Sequence, residues 1–354
     1  MPTGVERVLI VRLSSLGDVV HGLPVAVALR RRFPRVRITW AVEDWAAALV
    51  EGHPAVDRVI RFPPMRRARL PRDLRSWVAA FRGAARELRE EPYDVSLDLQ
   101  GLFKSALIAA LCRAPLRLGI AGQREGAGLV SVAPPEPDPG RHVVRQNLAL
   151  AELLGAPADP IRFDVPIDAA AARSISSRLD AAGLARSPFA VLHPSSANRW
   201  KTWPPERWSR VAAALADDLP VIVIGGKESR ALQGAIARAA GPRVLDWTGE
   251  TTLAEVVALL DRSTVHVAPD TGTLHVAAAL GRPVAGLYGP TRARRLGPFG
   301  QEESVVEHGE RCVTGCPRRC RRRRCLEAAS PEQLTGVARQ ALARGGSRTR
   351  ERAP

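Results

Sequence analysis

The sequence predicts an α/β protein made of two doubly wound, Rossmann-like halves, and three observations point there. The chain has 354 residues, which at roughly 150 residues per domain suggests two cores rather than one. Short β-rich runs alternate with stretches whose apolar residues recur at three- and four-residue spacing, as in a parallel sheet with crossover helices. The alternation breaks once, at the proline-containing segment APADPIRFDVPID (156–168), and then resumes.

Taken in order, the first half should carry strands at 8–13, 36–42, 56–62 and 94–99, with helices at 19–32, 73–89 and 102–112. A further helix around 143–154 should stop at Gly155, a residue suited to a helix C-terminus. The prolines that follow read as a linker, so the first domain is set at 1–160 and the second at 161–345. In the second half we expect strands at 189–192, 221–224, 265–267 and 284–288, and helices at 204–216, 228–239, 252–261 and 273–280. The last residues, 346–354, read as a disordered tail.

Hydrophobic residues at 45% and charged residues at 25% are ordinary for a globular chain, which argues against disorder or a fibrous repeat. The first apolar run, Val8 to Val11, ends at Arg12, and none approaches the eighteen or so residues of a membrane span, so a cytoplasmic location is expected. Contact with the inner face of a membrane stays open. The formal charge of +16 suits nucleic acid, an anionic lipid surface or a phosphorylated substrate alike. Because nearly all the basic residues are arginine, part of that charge is compositional background. The few lysines, Lys104, Lys201 and Lys227, are the positions that point to a need for an ammonium in particular.

In open parallel sheets ligands bind beyond the carboxyl ends of the strands, so the loops that follow strands carry the chemistry. The first such loop is Ser14-Ser15-Leu16-Gly17-Asp18. It has neither the GxGxxG nor the Walker A pattern. Asp18 reads in two ways, as the N-cap of the next helix or as a carboxylate able to take a proton from a substrate hydroxyl. The second loop runs from His193 to Lys201, where Ser195, Ser196, Asn198 and Lys201 supply donors at a helix entry, suited to an anion. It also reads simply as a solvated polar loop. The third is Gly225-Gly226-Lys227-Glu228, whose glycines permit close backbone approach; Glu228 could hold ribose hydroxyls or merely favour a helix start. The fourth, Pro269-Asp270-Thr271-Gly272-Thr273-Leu274-His275, crowds polar side chains at a helix start, in outline a diphosphate site. His275 could support that anion or be a packed structural histidine.

At these loops the chain resembles the lipopolysaccharide heptosyltransferases of glycosyltransferase family nine. The matching text is VLIVRLSSLGDVVHGLP, VDRVI, LDLQGLFKSA, KTWP and PDTGTLHVAAALGRPVAGLYGPT, spanning about residues 7–334. The resemblance implies a GT-B fold with an interlobe cleft and an inverting, metal-independent transfer of heptose from ADP-heptose to the Kdo region of lipid A. ADP-heptose is a substrate, and no cofactor is implied. The resemblance also implies that Asp18 is the catalytic base and Lys201 a phosphate contact. Ser195, Ser196, Glu228, Asp270, Thr271, Gly272 and His275 fall in donor-binding positions. Ser15, Gly17, Arg66, Arg67, Arg69 and Arg124 fall on the acceptor side. The segment SSLGDVVHGLP, the phrase WAVEDWAAALVEGHPAVDRVI and the Arg66–Arg69 cluster look more like the enzyme that adds the first heptose, which is favoured, whereas the His193-Pro194 opening and the cysteine-bearing tail look more like the enzyme that adds the second.

Cys312, Cys316, Cys320 and Cys325 lack the paired CxxC knuckles of zinc ribbons, so no metal is assigned to them, although four thiolates could satisfy zinc or an iron–sulfur centre. A transferase with another nucleotide sugar is one alternative. The alternative of another class is a nucleic-acid-binding protein using the arginines of 318–324, but the aromatic side chains that would stack on bases are missing there, and no specific nucleic acid is expected. The sequence sets no oligomeric state.

Overall fold

The computed structural model describes residues 4–65, 73–134, 140–196, 198–308 and 324–350. The chain divides into two compact units, Met1–Pro166 and Ile167–Pro354. The division falls inside the proline-containing segment, slightly beyond the expected boundary after residue 160.

The first unit runs β1 (Arg7–Val11), α1 (Leu16–Arg32), β2 (Arg37–Glu43), β3 (Arg58–Phe62), α2 (Leu74–Leu88), β4 (Val95–Asp98), α3 (Phe103–Leu111), β5 (Leu116–Gly119) and α4 (Val143–Leu153). Its five strands are parallel in the order β3-β2-β1-β4-β5. β1 lies centrally, with Ile10 paired to Trp40 on one side and Leu97 on the other. Both faces of such a strand are covered, which is why Val8, Leu9, Ile10 and Val11 read as an unbroken apolar run and are fully buried. Strand order reverses between β1 and β4, so the loop after β1 emerges at a topological switch point. Beyond α4 the chain turns at Gly155, whose φ of 79° is the left-handed conformation expected of a residue ending a helix.

The second unit begins with α5 (Ala169–Ala181) and β6 (Ala190–Leu192), then α6 (Pro205–Ala216), β7 (Val221–Val223), α7 (Arg230–Ala240), β8 (Val244–Asp246), α8 (Leu253–Arg262), β9 (Val265–Pro269) and α9 (Gly272–Ala279). It closes with β10 (Val284–Tyr288), α10 (Ala293–Leu296), β11 (Val305–Glu307), α11 (Arg324–Glu327) and α12 (Pro331–Arg350). The sheet, again parallel, has the order β11-β10-β9-β6-β7-β8, which reverses between β9 and β6. The loops after these two strands are the ones that sequence singled out at residues 193–201 and 269–275.

Two expectations need correction. Helix α12 extends to Arg350, into the segment expected to be a disordered tail, while residues 351–354 lie outside the described residues. The helix is anchored before that segment: Leu334, Ala338 and Ala341 are buried in the core that also contains Trp203, Trp208, Val265 and Leu287. The helix α1 starts at Leu16, not at residue 19, because Ser15 is its N-cap. Asp18 is therefore not the N-cap but the third residue of the helix. Among the described residues, no helix is long and apolar enough to cross a membrane.

Candidate active site

In the first unit, Asp18 is held by its own turn. One carboxylate oxygen, Oδ2, accepts from the Ser15 backbone N–H at 3.0 Å and from the Ser15 hydroxyl at 2.8 Å, the reciprocal half of a capping box. The other, Oδ1, lies 2.7 Å from Arg12 Nη2. Arg12 is fixed in turn, donating to the Leu99 carbonyl and, through Nε at 3.2 Å, to the Asp18 carbonyl. The Arg12 side chain is 6% exposed and that of Asp18 35%. A nearly buried guanidinium thus pairs with the carboxylate, while part of that carboxylate faces solvent. Capping and access to a substrate are both satisfied by one side chain.

A polar cluster that sequence reasoning did not assign borders this turn. Lys104, in the first turn of α3, donates to Glu43 Oε1 at 2.6 Å and to Ser14 Oγ at 2.9 Å. Glu43 ends β2 and is completely buried; its second oxygen accepts from Trp45 Nε1 at 2.6 Å. Asp98, at the end of β4, accepts from the N–H groups of Gln100 and Gly101 and from the Ser105 hydroxyl. Burial pushes the Asp98 carboxyl up, against the pull of those hydrogen bonds. Gln100 Oε1 accepts from Leu13 N–H at 3.0 Å, tying the β1 loop to the β4 loop. The available signal was the rarity of lysine in this chain, which singled out Lys104; its partner, 61 positions away, left no local pattern.

The remaining acceptor-side positions are unevenly placed. Ser15 is the N-cap just described, and Gly17 is buried inside the first turn of α1, so only its backbone could touch a ligand. Arg124 is exposed in the turn after β5, and its N–H donates to the Gly101 carbonyl at 2.9 Å, beside the β4 loop. Arg66, Arg67 and Arg69 lie outside the described residues.

In the second unit, the loops after β6 and β9 converge on Asp270. Lys201 Nζ lies 2.6 Å from Asp270 Oδ2, the Thr291 hydroxyl donates to the same oxygen, and His275 Nε2 lies 3.6 Å from Oδ1. Burial alone would raise the Asp270 carboxyl, but the contact with His275 and the charge of Lys201 outweigh it and hold the group well below the usual carboxylate range. Asp270 therefore remains an anion at the mouth of α9, positioning an ammonium and an imidazole. Thr271 is the N-cap of α9 and makes no side-chain cap, which leaves the first N–H groups, from Gly272 onward, without a side-chain partner from that residue. A cation and a helix start side by side suit an anionic ligand.

Beneath this turn, Ser195 is drawn away from a simple ligand role. Its hydroxyl lies 3.0 Å from His193 Nε2 and 2.7 Å from Gln233 Nε2. His193 Nδ1 contacts Thr273 Oγ1 at 2.9 Å, and Thr273 also contacts His266 Nε2 at 3.0 Å. Ser196, by contrast, is half-buried and makes two long contacts, donating to the Asp270 carbonyl at 3.5 Å and accepting from the Asn198 N–H at 3.4 Å. Gly225 permits a close approach, but to Gln233 rather than to a ligand: a Cβ there would lie 2.2 Å from Gln233 Oε1. Glu228 is exposed on the short turn Lys227–Ser229. Thr291, His266 and Gln233 were not anticipated.

Among the described residues, no group of three or more His, Cys, Asp or Glu side chains is arranged to hold a metal. Cys325 is buried at the start of α11, and Cys312, Cys316 and Cys320 lie outside the described residues.

Two parallel α/β units, one with a partly exposed carboxylate and the other with an anion-suited helix start, each at its switch point, have the outline of a group transferase acting on a phosphorylated donor. Comparison with known proteins sharpens that class to a glycosyltransferase of GT-B fold. Residues 81–325 match Glycosyltransferase family 9 (heptosyltransferase), and the chain belongs to that family. It is 30% identical over 302 residues to lipopolysaccharide heptosyltransferase 1 of Pseudomonas aeruginosa, covering 84% of this chain and 82% of the relative. It is 25% identical over 325 residues to lipopolysaccharide heptosyltransferase 2 of Escherichia coli, covering 87% and 89%. The E. coli heptosyltransferase WaaC solved with ADP superposes with a TM-score of 0.75 at 25% identity, covering 95% of this chain and 99% of that one. The same enzyme with ADP-2-deoxy-2-fluoro heptose gives 0.69 at 27% identity, covering 86% and 94%.

Proposed function

We propose that this glycosyltransferase moves heptose from ADP-heptose to the Kdo region of lipid A with inversion, adding the first heptose of the lipopolysaccharide inner core. The observation that carries the donor half is the Lys201–Asp270–His275 cluster at the start of α9. It offers positive charge and helix N–H groups where the diphosphate would sit. Lys201, Ser196, Thr271 and Gly272 are assigned to the phosphates, Asp270 and His275 to holding that site in shape, and Glu228 to the nucleoside.

The acceptor half rests on Asp18. In a direct displacement the acceptor oxygen forms its bond to the anomeric carbon as the bond from that carbon to the phosphate oxygen breaks. ADP leaves with the electron pair, and the hydroxyl proton needs a base. Asp18 takes it. The acceptor hydroxyl becomes acidic only as its bond to carbon forms, so late proton transfer to a carboxylate suffices. Charge accumulating on the leaving ADP is met by Lys201 and the α9 N–H groups. Arg124, with Arg66, Arg67 and Arg69, is assigned to phosphates of the acceptor. The protein residues supply both the base and the charge stabilisation, so the proposed mechanism uses no metal. A nucleotide-activated donor and a lipid acceptor together put the reaction at the cytoplasmic face of the inner membrane.

Incubation with ADP-heptose and heptose-free Kdo-lipid A tests this directly, and the product mass should rise by one heptose. Transfer only to an acceptor already carrying one heptose would move the chain to the second addition, the reading the His193-Pro194 opening favours. Binding of ADP without transfer from ADP-heptose to either acceptor would point to another nucleotide sugar.

A further inference from the structure

The polar chain beneath the donor turn has a direction that follows atom by atom. It begins at the Val191 carbonyl, which can only accept, so His266 Nδ1, 3.0 Å away, carries a proton. Burial lowers His266 to about 3, helped by neighbouring His193, and burial lowers His193 to about 4, so both rings are neutral at pH 7. A neutral imidazole has a single N–H. His266 Nε2 is therefore an acceptor, and the Thr273 hydroxyl donates to it. Thr273 has then spent its proton and must accept from His193 Nδ1. His193 Nε2 becomes an acceptor in turn, and the Ser195 hydroxyl donates to it. The Ser195 oxygen accepts from Gln233 Nε2, whose Oε1 accepts from the Thr248 hydroxyl at 2.9 Å. Reversing the Gln233 amide would set its oxygen against a Ser195 that has no second proton. One backbone carbonyl thus orients five side-chain hydroxyl and imidazole groups and one amide.

The consequence falls on Ser195, which is half-buried and has one lone pair left but no proton to give. We propose that Ser195 meets the nucleotide-sugar donor only as a hydrogen-bond acceptor, so that it recognises a sugar hydroxyl and leaves the phosphates to Ser196, Lys201 and the α9 backbone. His266, Thr273, His193 and Gln233 are its positioning residues. The inference rests on the donor-site reading above, and it departs from the expectation that every hydroxyl of this loop serves the anion. The Gly225 approach to Gln233 belongs to the same device, since any side chain at 225 would displace the amide that anchors Ser195.

Nitrogen NMR of the full-length protein with ¹⁵N-labelled histidine tests the chain without altering it. At pH 7 both His193 and His266, assigned through His193→Asn and His266→Asn, should be neutral with the proton on Nδ1. An Nε2–H tautomer or an imidazolium at either position overturns the proposal. Calorimetric titration of Ser195→Ala with ADP and with ADP-heptose supplies the second arm. Loss of one neutral hydrogen bond should weaken ADP-heptose binding by about two- to tenfold, with ADP weakened equally where the hydroxyl belongs to the ribose and unchanged where it belongs to the heptose, and unchanged ADP-heptose affinity overturns the proposal. A loss well beyond tenfold in ADP, the size expected for a bond to a charged group, would make Ser195 a phosphate ligand and overturn the proposal. Failure of wild-type protein to bind either nucleotide would instead defeat the donor-site reading, while the tautomers would still decide the direction of the chain.

Discussion

Asp18 and Asp270 hold equivalent addresses, each just past a central strand at a switch point and beside the start of a helix, yet their surroundings give them opposite properties. The Asp18 side chain is 35% exposed and contacts one guanidinium and the turn of Ser15. The Asp270 side chain is 9% exposed and contacts an ammonium, an imidazole and a hydroxyl. A carboxylate with open surface can still reach a substrate proton. One enclosed by an ammonium, an imidazole and a hydroxyl instead fixes where those groups stand. Position in the fold thus nominates a residue for function, and the neighbours decide which function it can perform.

The sharpest way to break this comparison is at Asp18. We expect Asp18→Asn to lower kcat by about a hundred- to ten-thousandfold, the span of a lost general base, with ADP affinity changed less than threefold. Asparagine keeps an oxygen for the Ser15 N–H, so the turn should persist. Turnover near the wild-type level would remove Asp18 from the proton transfer and leave it a helix cap.

Asp270→Asn should reverse the pattern, acting first on stability. Removing one partner of a buried charged cluster costs about 3–5 kcal/mol, read as a lower urea midpoint. The sign of its pH dependence follows from the depressed folded-state value. The contribution of Asp270 is fully present above the unfolded carboxyl value of about 4 and is lost as pH falls from there toward the folded value. The gap between wild type and variant should therefore narrow below about pH 4 and stay constant between pH 6 and 8. A gap independent of pH down to 3 would mean that shape, not charge, is what Asp270 supplies.

How much of this was visible beforehand depended on whether the information was local. The central strands were legible because burial on both faces writes an apolar run, as in Val8–Val11 and Val284–Tyr288. The edge strands β5 and β8 and the terminal β11 were missed: they are three or four residues long and only partly buried, too short to set a period. Helix α12 was readable in the spacing of Leu334, Val337, Ala338, Ala341 and Leu342, and the polar residues after Gly345 obscured it. In the sites, Asp18, Lys201 and Asp270 stood out because each lies in a short polar loop after an apolar strand. Thr291, 21 positions from Asp270, and Glu43, 61 from Lys104, acquire their meaning from partners that only folding brings near.

Lys201→Met isolates the cation from the carboxylate that holds it. The ammonium is 25% exposed, so a charged contact to a diphosphate should contribute about 1.5–3 kcal/mol, and ADP affinity should fall roughly ten- to hundredfold. Raising salt should weaken wild-type binding more than that of the variant, because the variant has less charge to screen. Equal salt dependence would place the phosphate-binding charge elsewhere.

The smallest expected effect separates the two jobs of the first loop. Ser15→Ala removes the hydroxyl contact to Asp18 at 2.8 Å but leaves the backbone N–H contact at 3.0 Å and the Arg12 pair at 2.7 Å. An N-cap of this kind contributes about 1 kcal/mol, which should lower Tm by about 2–4 °C in a unit of this size. If Asp18 is held for catalysis chiefly by Arg12, kcat should change less than threefold, even as the helix loses its cap. A fall in kcat of tenfold or more with Tm unchanged would instead make the Ser15 hydroxyl part of the acceptor site, where the family resemblance put it. The carboxylate would then owe its function to a neighbour that touches the substrate as well as the helix.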